Sequence, residues 1–437
     1  MKNIDQVQDL LAFVHNSPTP FHAVKTTASL LLDNGFEQLD EKDAWKLEAG
    51  KKYFYSRADS SLIAFVKGRD DVAKTGLRLV GAHTDSPCLK VKPNPEVRRK
   101  NYFLLGVEIY GGVLLNPWFD RDLSLAGKVN GLDSSGNFCS ALIDFRRAIA
   151  SVPSLAIHLD RTANKDKTVN PQKEMNVLLG IDDETLSFKE LILKQVGEDR
   201  PDLHMTEVLD FNLSFYDTQA PQLIGVNNEF IASARLDNLL SSYAGVAALI
   251  ESVSVDLAPS QTMVFISNDH EEVGSRSEPG AQGTMLTDLI ERLVGDTEQR
   301  QQALRRSLML SVDNAHGIHP NYPEKHDDAH GPLINAGPVI KFNANQSYAT
   351  SSDTAGILRM LARSGESDVP LQSFVVRADM RCGSTIGPVT ASNAGIRTVD
   401  LGLATFAMHS IRELGGCDDL VHLLGLLKRF YMTPELP

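Results

Sequence analysis

Four short apolar runs that each stop abruptly at polar residues constrain the fold more than any other feature of this sequence. They are Leu77 to Gly81 before His83, Thr262 to Ile266 before Asp269, Leu308 to Val312 before Asp313, and Phe374 to Val376 before Arg377. Between several of them lie helix-like stretches, such as Leu239 to Val253 and Thr284 to Leu293. Strands alternating with helices predict an α/β fold around a mostly parallel sheet flanked by helices. In such sheets ligands bind beyond the carboxyl ends of the strands, where His83, Asp269 to Glu272 and Asp313 fall. The motifs thus converge on one edge.

At 437 residues the chain is longer than one ordinary domain, so two are expected. The amino-terminal segment reads as two helices, Ile4 to His15 and Phe21 to Asn34, parted at Ser17-Pro18-Thr19-Pro20, the second ending at Gly35. From about Val91 to Val226 the texture changes to short β-type runs separated by turns, such as Tyr102 to Tyr110, Gly111-Gly112 and Leu132 to Asn137. This reads as a β-rich domain over 91–227, inserted into a catalytic domain made of 1–90 and 228–437. Within the insert, Arg161 to Gln172 reads as an exposed loop and Asp182 to Asp202 as partly helical.

Composition excludes several classes. A net charge of −13 argues against a nucleic-acid surface, which needs clustered Lys and Arg. The short basic clusters, Arg98 to Lys100 and Arg305-Arg306, read as solvated surface. No stretch approaches the ~20 apolar residues of a membrane span. The first residues lack the basic-then-apolar order of a secretory signal, so a cytoplasmic protein is expected. Four scattered cysteines, Cys88, Cys139, Cys382 and Cys417, suggest neither a disulfide framework nor a thiolate zinc site.

The densest chemical signal is Asn268-Asp269-His270-Glu271-Glu272-Val273-Gly274-Ser275. Adjacent carboxylates leaving a strand point to different sides, so one can bind a metal while the other faces the water that the metal activates; a solvated acidic turn is the plainer reading. His83, in Gly81-Ala82-His83-Thr84-Asp85, offers one ring nitrogen to a metal, and Asp85 can accept the other N–H and fix the tautomer. Asp237, where a helix begins, is either an N-cap or a carboxylate bridging two cations. Asp313 follows a strand as His83 does. His409 ends a largely apolar run, as a ligand or as a satisfied core histidine. Mixed His and carboxylate ligation suits zinc, cobalt or manganese better than magnesium. Two metals with a free Glu carry out amide hydrolysis, and no G-x-S-x-G elbow offers a serine alternative.

Assembled in this way, the chain resembles the aspartyl aminopeptidase family of dinuclear zinc aminopeptidases. The matching stretches are Gly81 to Pro87, Arg235 to Leu239, Asn268 to Ser275, His316 to Pro323, Pro338 to Lys341, Cys382 to Pro388 and Met408 to Glu413. The resemblance implies a zinc-exopeptidase type of α/β domain interrupted by a β-rich dimerisation domain, with dimers building a tetrahedral dodecamer. It implies two divalent ions per subunit, most readily Zn2+, with Co2+ or Mn2+ as substitutes. Asp237 would bridge them, Glu272 and His409 would hold one, and His83 and Asp313 the other. Glu271 would be the general base and Asp85 the carboxylate orienting His83; spacing alone does not tell Glu271 from Glu272. His158 would reach from the dimerisation domain into a partner's active site, its other reading being a buried strand histidine. Lys341 and Tyr348 would line the pocket for the first side chain of a peptide substrate, the cation favouring an acidic one. His316, His319, Gly383 and Thr385 are further substrate-side candidates, while His326 and His330 read as exposed loop. Ser347 stands where the best-known animal members carry arginine, which bears on how strict an acidic preference is.

Two other readings compete. One is a carboxypeptidase or N-acyl amino acid deacylase, with Arg377 or Arg381 receiving the substrate carboxylate. The other is a catalytically idle carrier or assembly protein, against which the intact ligand set and Glu271 weigh.

Overall fold

The computed structural model describes residues 2–182, 185–253 and 258–437. Residues 183 and 184, inside the stretch expected to be partly helical, lie outside the described residues. The chain divides into two compact units, one of residues 1–85, 221–408 and 413–437 and the other of residues 86–220 and 409–412. The short segment His409–Arg412 therefore clusters with the second unit although it lies far along the chain.

The first unit is built on a nine-stranded sheet. Four central strands, Thr262–Asn268, Leu77–His83, Leu308–Val312 and Arg397–Gly402, run parallel in that spatial order. Ser61–Val66 joins one side and Val339–Phe342 the other, both antiparallel to their central neighbours. Alternate side chains of each central strand pack to opposite faces. Val80, Ala82, Met263, Phe265, Leu308, Leu310 and Val312 enter one core; Leu77, Leu79, Val264, Ile266 and Met309 enter another. Helices Lys2–His15, Leu236–Glu251, Ser352–Ala362 and Cys417–Met432 cover the first face, and Met285–Leu293 and Ile386–Ala394 the second. This is the three-layer α/β architecture expected, with both sheet faces buried.

Close packing fixes the helix next to the site. A Cβ at Gly245 would stand 2.5 Å from the Phe265 ring, so glycine lets helix Leu236–Glu251 lie tightly on strand Thr262–Asn268. Register then sets the functional edge: Asn268 pairs with His83, and Ser311 with Gly81. The residues after Asn268 and Val312 leave the sheet beside His83.

The strand near Phe374 exists as Gln372–Val375, but it lies at the sheet edge beside Val339–Phe342. The fourth central strand is Arg397–Gly402, whose Thr398 and Asp400 interrupt any apolar run yet are buried. Asp400 is tolerated there because Thr385 Oγ1 and the Ala349 N–H donate to its carboxylate at 2.5 and 2.6 Å.

The second unit is a six-stranded sheet in the order Phe138–Asp144, Leu123–Asp133, Met205–Asp217, Cys88–Arg99, Tyr102–Tyr110, Val177–Ile181, all antiparallel. Helix Phe188–Asp199 packs on it through Phe188, Ile192 and Val196. Leu132 to Asn137 is not a strand of its own. It is the turn of a hairpin, where the Asp133 carboxylate accepts the Ser135 and Asn137 N–H groups at 2.8 and 2.9 Å. All four cysteines are free and partly exposed. Among the described residues no helix is long and apolar enough to cross a membrane.

Candidate metal centre

His83 ends its strand and is 1 % exposed. Its Nδ1 lies 3.0 Å from the Asp85 carbonyl oxygen and 3.3 Å from Asp85 Oδ1. Acceptors on that side favour the Nδ1–H tautomer and leave the Nε2 lone pair for a cation. Nε2 faces Asp237 Oδ1 at 3.3 Å and Asp313 Oδ1 at 3.7 Å. Burial alone would lower the pKa of this imidazole, but the carboxylates of Asp237, Asp313 and Asp85 outweigh it and hold the pKa well above the histidine range.

Asp85 has a second role that spacing does not reveal. Its two carboxylate oxygens accept the backbone N–H groups of Glu271 and Glu272, each at 3.1 Å. One fully buried aspartate thus holds His83 and the turn that presents both glutamates. The chain enters that turn through His270 at φ 62° and leaves it through Gly274 at φ 94°, left-handed positions that swing the carboxylates away from the strand direction. Burial, then the charges of Asp313, Asp85 and Asp237, push the Glu271 carboxyl up to about 8 against the opposing pull of His83. Burial and Asp237 raise Glu272 well above the carboxylate range.

Asp237 is not an N-cap. Arg235, at φ 59°, occupies that position without a side-chain cap bond, and Asp237 itself has φ −84° and ψ 104° inside an irregular first turn. Its N–H donates to Glu413 Oε2 at 2.9 Å, and Glu413 is 2 % exposed. The neighbouring Asn238 Nδ2 donates to the Val312 carbonyl at 2.8 Å, tying this turn to the strand end before Asp313. Asp313 Oδ2 lies 3.4 Å from Lys341 Nζ, whose residue is 2 % exposed and stands 5.3 Å from the Tyr348 ring centre.

Among the described residues one group is poised to hold a metal: His83, Asp237 and Glu272, with ligand atoms within 4.8 Å of one another. The donor set fits a divalent cation. The charges of Asp85, Asp237 and Asp313 oppose ionisation of Glu271, those of Asp237, Asp85 and Glu271 oppose ionisation of Glu272, and the nearby cations are His83 and Lys341. Such an excess of buried negative charge is costly unless cations neutralise it.

Asp313 leaves its strand against glycine. A Cβ at Gly402 would fall 1.4 Å from the Asp313 carbonyl oxygen, an overlap that only a backbone shift relieves. Gly402→Ala is therefore expected to displace Asp313 and lower the melting temperature by several degrees, for a loss of about 1–3 kcal/mol; calorimetry and zinc content check it.

The other candidate residues are distributed as follows. His409, in the second unit, sits at φ 68° with Nδ1 3.1 Å from the Gly112 carbonyl oxygen. It is partly exposed in a turn and is not a core histidine. His158 occupies an exposed turn flanked by exposed Leu155, Ile157 and Leu159, so the buried-strand reading is corrected. His316 pairs in a short two-stranded sheet and packs edge-on to Phe374, and His319 lies against Tyr322 and Phe406. His330 bonds Asp327 at 2.6 Å in the same loop. Tyr348 is buried, and Gly383 is exposed. Thr385, 2 % exposed, caps helix Ile386–Ala394 while donating to Asp400.

The family model described as "Aminopeptidase I zinc metalloprotease (M18)" matches residues 13–431. A "Probable M18 family aminopeptidase 2" of Ectopseudomonas mendocina is 54% identical over 433 residues, 99% of each chain. Its namesake in Pseudomonas savastanoi pv. phaseolicola is 54% identical over 430 residues, 98% of each chain. Among solved structures, the cryo-EM structure of the Ape4 and Nbr1 complex superposes with a TM-score of 0.94 at 37% identity, covering 99% of this chain and 86% of that one. The S. cerevesiae mApe1 dodecamer superposes with a TM-score of 0.83 at 27% identity, covering 97% and 95%. A metal-ligand cluster on an α/β sheet edge, matched along nearly the whole chain, places this protein in the M18 family of zinc aminopeptidases, which are metal-dependent hydrolases.

Proposed function

We propose that this aminopeptidase removes the N-terminal residue, preferentially Asp or Glu, from unblocked peptides, using two divalent ions, most readily zinc. The observation that carries the reading is the convergence of His83, Asp237 and Glu272 beside Asp313 and Glu271. On the family resemblance, His83 and Asp313 would hold one ion and Glu272 the other, with Asp237 shared between them. The family resemblance adds His409 to the second. When bound, the two ions polarise the scissile carbonyl and acidify a water molecule. Glu271 accepts that water's proton and passes it to the departing amine. Asp85 keeps His83 in the Nδ1–H tautomer and holds Glu271 and Glu272 through their backbone N–H groups.

Arg377 supports the amino-terminal over the carboxyl-terminal reading. Its guanidinium is taken up by Asp379, at 2.7 and 2.9 Å, and by the Glu324 carbonyl, which leaves it poorly placed for a substrate carboxylate. A buried Lys341 supports an acidic preference through its positive charge. We place the protein in the cytoplasm; on the resemblance, the second unit is a dimerisation domain whose His158 reaches a partner's site, with dimers building a dodecamer like that of the S. cerevesiae relative.

The test is release of free amino acids from peptides beginning with Asp, Glu, Leu or Lys, each free or N-acetylated. Release from unblocked peptides, fastest for Asp and Glu, is expected; equal rates on acetylated peptides would overturn the reading. In Lys341→Met the ratio of kcat/KM for Glu over Leu peptides is expected to fall by about tenfold, the loss of one charge-assisted bond. An equal fall for both would confine Lys341 to Asp313. Glu413 is assigned to positioning Asp237. Glu413→Ala, which strands a buried N–H, is expected to weaken zinc retention by about 10–100-fold, and Glu413→Gln, which keeps an acceptor, to restore most of it. Zinc competition titrations measure both.

A further inference from the structure

We propose that the first unit also carries a binding site for a small anion with two phosphate groups, of the class of hexose bisphosphates and nucleoside diphosphates. It lies at the opposite edge of the sheet from the metal centre. His83 and Asp313 lie at or just beyond the carboxyl ends of strands Leu77–His83 and Leu308–Val312. At the amino ends of these strands and of Arg397–Gly402 is a cavity of about 930 Å³. Cations from separate segments line it: Arg69, Lys74, Arg305, Arg306 and Arg397.

Arg305 and Arg306 end helix Thr297–Arg306, where positive charge suits the helix dipole. That accounts for two of them, but not for three more arriving from other segments. Among the described residues no Asp or Glu lies within ion-pair distance of Lys74, Arg305, Arg306 or Arg397; Arg69 has a loose pair with Asp70 at 3.8 Å. Arg397 donates from Nη1 to an oxygen of the terminal Pro437 carboxylate at 2.9 Å, while its buried Nε has no partner.

Behind the lining residues stands a cation the fold keeps dry. Arg78, 1 % exposed, is held by the carbonyls of Thr75, Thr433 and Pro434 at 3.1, 3.1 and 2.7 Å, with no carboxylate. Burial, then the charge of Arg397, lowers its pKa to about 10. The acidic groups that line the cavity are Asp70, Asp71, Glu435 and the terminal carboxylate of Pro437. Asp71 is engaged in capping a helix, accepting the Ala73 N–H at 2.9 Å. Five lining cations against four acidic groups, with Arg78 behind them, leave the cavity a small excess of positive charge in a chain whose net charge is −13.

Size and charge select the ligand. A cavity of this volume is within the range of small-molecule sites and exceeds the needs of a single phosphate. Guanidinium forks from several directions match an anion with two phosphate groups, linked or separate, each able to take a bidentate arginine. The amino-end location makes such binding independent of the zinc ligands.

Calorimetric titration of the zinc-loaded full chain with a hexose bisphosphate and with ADP, at fixed ionic strength, tests the assignment. Orthophosphate and citrate serve as controls. Saturable binding of one bisphosphate per chain is expected, weakened at least about tenfold both in the Arg305→Glu, Arg306→Glu double variant and in Arg397→Gln. Peptide hydrolysis without the anion should be unchanged, which shows the variants fold. Absence of saturable binding would overturn the proposal. So would binding that survives in the variants, which marks withdrawal of zinc from the metal centre, or citrate binding more tightly than either phosphate ligand.

Discussion

Glu271→Gln is expected to lower kcat by about two to four orders of magnitude while zinc content stays at the wild-type level. Glutamine keeps the size and the backbone N–H that donates to Asp85, so the turn and the neighbouring Glu272 remain in place. What it removes is the proton acceptor. The same substitution deletes one carboxylate from a site where Asp313, Asp85 and Asp237 oppose the ionised form of Glu271. The metal-free variant should therefore melt at a higher temperature than metal-free wild type. Slower turnover with greater metal-free stability separates loss of a catalytic group from damage to the fold. Stopped assays with zinc analysis, together with calorimetry of the metal-free proteins, measure the three quantities.

Removal of divalent metal is expected to abolish turnover and destabilise the protein, and added zinc to restore both. The reason is electrostatic. Without metal, Asp237, Glu271 and Glu272 share a buried volume with Asp85 and Asp313, and protonation at His83, Glu271 and Glu272 is what remains to reduce the charge. A ligand present at a thousandfold its Kd stabilises the folded state by about 4 kcal/mol, which moves Tm by roughly 2–4 °C per kcal/mol in domains of moderate size. Asp237→Asn should behave like the stripped protein even with zinc present. Its side chain faces His83 Nε2, and an amide supplies one neutral acceptor where the carboxylate supplies two charged ones.

The strand-end placement of His83, Asp313 and the glutamates was legible because it depends on local order: an apolar run, a stop, a ligand. The relations that complete the centre were not. Asp85 meets the Glu271 and Glu272 N–H groups across 186 and 187 residues, and Glu413 meets Asp237 across 176. No spacing rule reaches that far. The family run Met408 to Glu413 contained the second of these contacts, but gave Glu413 no role until the fold brought it to the Asp237 N–H. Asp237 looked like an N-cap because it precedes a helix; the observed cap position belongs to Arg235. Strand Arg397–Gly402 escaped notice because a buried aspartate and threonine broke its apolar pattern, the aspartate's hydrogen bonds being non-local. His158, flanked by Ile157 and Leu159, has the alternation of a strand, yet its hydrophobic neighbours are exposed in a turn.

The most direct test of a metal centre built on His83, Asp237 and Glu272 is elemental analysis of zinc-reconstituted protein, wild type beside His83→Ala, Asp237→Ala and Glu272→Ala. Two zinc ions per wild-type chain are expected, with loss of one or both in each variant and circular dichroism unchanged. Zinc retained at the wild-type level by all three folded variants would contradict the account.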